Sequence, residues 1–135
     1  RRVVSLAGRY ADIFQFTGLR HGAGGQPALG AFTVPDLVSR ARWLSAAAGD
    51  RDAEIERSAL VQMVGIGPDG PKVEDVAARF SVDADALHDN PFALFGSVEE
   101  VVDLLERVRE LLGISHYVIR DPENFAPVAA ALTGN

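Results

Sequence analysis

Three short apolar segments limit what this chain can fold into. Asp12 to Thr17 is β-branched and aromatic and stops at Gly18. Ile55 to Ile66 is rich in Val, Ile, Leu and Met and closes on Gly67-Pro68-Asp69-Gly70, and Ser115 to Ile119 has the same character. Runs of this length and composition, punctuated by Gly and Pro, predict buried strands. The segments between them carry helical patterns, so the strands are expected to be parallel neighbours joined by crossovers in an α/β fold.

The helices announce their own ends. Val3, Ala7, Tyr10 and Ala11 share one face, as though the chain opens inside a helix. With no initiator Met before Arg1, this predicts a piece of something longer. Thr33 with Asp36 resembles a capping box, and Leu37, Ala41, Leu44 and Ala48 then keep helical spacing until Gly49, giving a helix over about 35–48. Pro71 opens a helix whose Val73, Val76, Ala77 and Phe80 share a face, and a shorter one runs from Asp83 to His88. Phe92 to Gly96 is apolar but brief and is not counted as an element. Ser97 and Glu100 form a capping box ahead of an apolar stripe of Val98, Val101, Val102, Leu105, Val108 and Leu112, which Gly113 terminates. Asp121-Pro122 caps a last helix with Phe125, Val128, Ala129 and Leu132 on its buried face.

The expected order is α-β-α-β-α-α-α-β-α, a single partial domain over residues 1–135. That length falls well short of the ~250 residues of a closed (β/α)8 barrel. Three parallel strands with helices on one side leave both edges unpaired and one face uncovered, so a partner or further chain is expected to cover them. Residues 18–32 hold five Gly and one Pro without periodicity and read as a long loop, a candidate working part.

Composition narrows the function classes. Hydrophobic residues at 47% and charged ones at 24% predict a packed core. There is no Cys, and the three His are scattered, so no metal site is expected. Net charge is −6 with no basic run beyond Arg1-Arg2, which argues against nucleic acid as a partner. No apolar run approaches the ~20 residues of a membrane span and no signal peptide opens the chain, so no membrane partner is expected and cytosol is the expected compartment.

In parallel α/β folds ligands gather at the C-terminal ends of the strands. Thr17 ends the first predicted strand, Gln62 lies near the end of the second on the parity of Ser58, and Arg120 follows the third. Each either faces a ligand or satisfies backbone at a strand end, and Arg120 suits a phosphate or other anion. His21, just past the first strand, is a candidate substrate contact or a solvated loop residue. Gly22-Ala23-Gly24-Gly25 invites a phosphate-loop reading, yet the third Gly of the dinucleotide fingerprint would fall at Pro27 and no helix starts there. Gly-x-Ser-x-Gly does not occur, so hydrolase chemistry has no support. His88 and His116 lack partners at metal-ligand spacing and read as structural, and Trp43, Phe14 and Phe16 as core.

Four stretches carry a family likeness: Arg1 to Ile13, Ile55 to Val64, Pro91 to Glu100, and Gly113 to Ile119. In order and spacing they resemble the C-terminal part of a bacterial-luciferase-like monooxygenase, in the subgroup of F420-dependent oxidoreductases. The resemblance implies a (β/α)8 barrel of the TIM type, of which this chain supplies roughly the last three strands with their helices. It implies F420 or FMN at the C-terminal mouth, passing electrons to oxygen or hydride to a small organic substrate. Thr17, Gln62 and Arg120 then stand as cofactor contacts. No catalytic residue is carried over, and the isolated chain is expected to be inactive until the missing barrel half is supplied. A non-catalytic α/β module that binds a ligand or self-associates through its uncovered sheet is the alternative.

Overall fold

A computed structural model describes all residues except 22, 23, 25, 26, 30–32, 134 and 135, and of 19–21 and 27–29 it describes the backbone alone. Helix α1 (Arg2–Tyr10) leads into strand β1 (Ile13–Phe16), followed by the short strands β2 (Leu19–His21) and β3 (Pro27–Leu29). Helix α2 (Val34–Ala48) and a 3-10 turn (Gly49–Glu54) carry the chain to β4 (Glu56–Val61) and β5 (Met63–Ile66). Then come α3 (Val73–Phe80), α4 (Ala84–His88), β6 (Ala93–Gly96), α5 (Val98–Leu112), β7 (His116–Ile119) and α6 (Pro122–Thr133).

The three expected strands form one sheet in the order β1-β4-β7, parallel throughout. Helices cross over between them, so the chain is α/β, and the described residues close no barrel. The predicted caps hold as well. Ser97 Oγ accepts from the Glu100 amide at 3.2 Å while Glu100 Oε2 accepts from the Ser97 amide at 2.7 Å. Asp121 Oδ1 accepts from the Asn124 amide at the start of α6, and α5 ends on Gly113 at φ 72°.

Three expectations need correction. Phe92 to Gly96, passed over as too brief, contains β6, which pairs in parallel with β5 from Met63↔Ala93 to Ile66↔Gly96. Residues 18–32 are not simply loop, since β2 and β3 pair antiparallel through Leu19↔Leu29 and His21↔Pro27. His21 therefore belongs to a strand. Strands of three or four residues carry too little pattern to be read locally, because their pairing partner supplies the evidence. Finally, Ile55 to Ile66 is not one strand but two, broken at Gln62.

Burial explains the break. Ala59 and Val61 face the main core, and so does Val64, so the alternation slips by one residue at Gln62. An extra residue of this kind is what a bulge inserts, and it turns the strand toward a new partner. The Gln62 amide donates to Phe92 O at 2.7 Å, the first bond to the β6 segment. Beyond it, Val64 and Leu94 stay in the main core with α2, α5 and α6. Met63, Ala93 and Phe95 face a second cluster with Val73, Ala77 and Leu87 of α3 and α4. The β5-β6 pair is thus covered on both faces.

Below the bulge Arg57 fastens the helices to β4. Its guanidinium donates to Leu112 O at 2.9 Å, Ser45 Oγ at 2.8 Å and Asp52 Oδ1 at 2.6 Å, joining the ends of α5, α2 and the 3-10 turn. Its side chain is only 12% exposed, so these bonds form in a low-dielectric setting. Arg51 similarly donates to Arg9 O at 2.9 Å, meeting the carbonyls at the end of α1. Helix α1 lies so close to α2 that a Cβ at Gly8 would stand 2.6 Å from Leu44 O.

Replacing Arg57→Met strands a carbonyl and a carboxylate together, and is expected to cost about 2–4 kcal/mol, read as a lowered urea midpoint. Gly8→Ala forces α1 away from α2 and is expected to destabilise by about 1–3 kcal/mol in the same measurement. The bonds from Ser97 hold the Glu100 carboxyl below the usual carboxylate range. A depressed folded-state value means the capping contribution is complete above that range and is lost as pH falls through the lowered value. The stability gap between the native chain and Glu100→Gln should therefore close on acidification, and a gap that is constant with pH contradicts this account.

Candidate functional site

Neighbours in register across a parallel pair share a face, which allows the faces of the β1-β4-β7 sheet to be assigned residue by residue. Phe16↔Ala59 and Val61↔Ile119 point into the helices. The opposite face carries Ile13↔Glu56, then Gln15↔Ser58↔His116, then Leu60↔Val118. Ile13 is 60% and Val118 41% exposed, and Gln15, Glu56 and His116 are exposed too. This is the uncovered face that the strand count anticipated. Ser58 is buried at 3%, a small side chain between two longer ones in its row.

The three strand-end residues follow from the same register. Gln62 and Arg120 each follow the last pair Val61↔Ile119, so both lie at the C-terminal edge of the sheet, Gln62 at the point where the chain turns toward β6. Thr17 stands one residue beyond Phe16↔Ala59, level with Leu60 on the other side of β4. The fold thus gathers Thr17, Gln62 and Arg120 at one end of one sheet, Gln62 half-buried and the other two exposed. Arg120 makes none of the ion pairs found among the described residues. The backbone of His21 lies in β2 on the same C-terminal side of β1, and its side chain is outside the described residues. Of the Gly22 to Gly25 segment, 22, 23 and 25 lie outside them as well.

One pairing was missed. His116 Nδ1 lies 3.0 Å from Glu56 Oε1, at the opposite, N-terminal end of the open face. A carboxylate at Nδ1 orients the ring and leaves Nε2 to exchange a proton or accept a hydrogen bond. Gln15 and Ser58 add an amide and a hydroxyl beside it. Nothing local signals this row, because its members come from three strands, and only the register that aligns Gln15, Ser58 and His116 could have revealed it. The arrangement as a whole offers a cation and hydrogen-bonding groups at one end, an apolar middle at Leu60 and Val118, and an acid-imidazole pair at the other end.

Both partners of the Glu56 and His116 pair are about half-exposed, so it is a surface interaction. Glu56→Gln is expected to change stability by less than about 1 kcal/mol in thermal unfolding, and a larger loss would make the pair a structural element. Among the described residues no helix is long and apolar enough to cross a membrane. No protein-family model matches this chain, and no curated protein or solved structure matches it.

Proposed function

We propose that this chain is the C-terminal part of a luciferase-like oxidoreductase barrel in the cytoplasm, with F420 or FMN held at the C-terminal edge of the open sheet. The observation that carries the reading is that Gln62, Arg120 and Thr17 each follow the C-terminal end of one of the three parallel strands. An exposed cation at that edge suits the phosphate that both cofactors bear, and a hydroxyl and an amide suit the polar rim of a flavin-type ring. When bound, such a group accepts or donates a hydride for a small organic substrate. The role of this chain is then to orient the cofactor and to close one side of its site, while the rest of the barrel covers the open face and unpaired strand edges.

Titration of oxidised and reduced FMN and F420 tests this, using the chain alone and mixed with a polypeptide supplying the first five strands of such a barrel. Weak binding alone, tight binding in the mixture, and roughly tenfold weakening by Arg120→Ala are expected. No binding in the mixture contradicts the proposal, and so does tight binding by the chain alone. The exposed Ile13 and Val118 favour a second reading, a non-catalytic module that self-associates through this face. Under that reading the mass in solution is a multiple of the monomer and Val118→Asp returns it to one chain.

A further inference from the structure

On the other side of the sheet, a cleft of about 350 Å3 opens between α5, α6 and the start of β7. That size lies at the lower end of small-ligand pockets, roughly 300–1,000 Å3. Leu105, Ile114 and Leu132 give it an apolar wall, and Glu106, Arg109, Ser115 and Tyr117 line it as well. Tyr117 points to the helix side of β7, opposite to His116 and Val118, so this cleft is separate from the open face.

The Tyr117 hydroxyl is the distinguishing feature. Its oxygen is buried and finds no hydrogen-bond partner among the described residues. Buried polar groups in folded proteins nearly always have one, so an unpaired hydroxyl beside a cleft points to an acceptor that arrives from outside the chain. Burial pushes the phenol well above its ordinary value, with Arg109 opposing the rise only in part, so the group is a neutral donor at physiological pH. Arg109 is exposed at the rim and takes part in no ion pair found among the described residues. A donor and a guanidinium together select an anionic acceptor with planar oxygens, and the leucine and isoleucine wall selects an apolar tail.

We infer that this cleft binds a small monocarboxylate with a short apolar chain, its carboxylate accepting from the Tyr117 hydroxyl and pairing with Arg109. The hydroxyl oxygen is covered in the structure, so binding requires the exposed rim side chain of Glu106 to give way to the ligand. Glu106 opposes an anion, so the site is tuned to weak binding and its removal strengthens it.

Hexanoate, hexan-1-ol and hexylamine titrated into the full chain, followed by amide NMR shifts, provide the test. Saturable hexanoate binding in the millimolar range is expected, with shifts at α5, α6 and β7 and with the alcohol and amine weaker. Tyr117→Phe and Arg109→Gln should each weaken hexanoate about tenfold, and Glu106→Gln should tighten it. Tyr117→Phe keeps the ring, so far-ultraviolet circular dichroism should show it folded, and Glu106→Gln gives an independent reading if Arg109→Gln does not fold. Non-saturating hexanoate shifts, equal binding of the alcohol, or unchanged affinity in Tyr117→Phe would overturn the assignment.

Discussion

The pairing of β4 on both sides with parallel strands is the constraint from which the other features follow. A parallel neighbour can be reached only through a crossover, so each connection must carry a helix back along the sheet. Helices α2 and α5 settle with α6 on one side, where they meet Phe16, Ala59, Val61 and Ile114. The bonds from Arg57 to Leu112 O, Ser45 and Asp52 hold the helix ends to β4. With one side filled, the other displays Gln15, Ser58, His116 and their neighbours.

The slip at Gln62 gives the molecule its second part. One additional residue changes which parity faces the helices, and it hands the chain from β7 to β6 as its neighbour. Past that point α3 and α4 cover the side that is open below. The polar strand ends therefore sit where a covered region meets an uncovered one.

Much of this was legible along the chain. The Ser97 and Glu100 capping box, the stop at Gly113 and the parallel order of the three longest apolar segments were each carried by neighbouring residues. The strand at Ala93–Gly96 and the hairpin of β2 and β3 were not, because three or four residues give no period and their partners lie elsewhere in the sequence. The pairing of His116 with Glu56 was hidden for the same reason, and His116 read in isolation looked inert.

Reading along the chain thus settled which segments are helices, where they start and stop, and that the three longest apolar segments run in parallel, since caps, turns and hydrophobic period act over a few residues. Which residues share a row on the open face, where the strand slips, and that the Tyr117 hydroxyl lies unpaired beside a cleft depend on register and on packing between distant segments. Those arise from hydrogen bonds and burial that exist only once the chain has closed on itself.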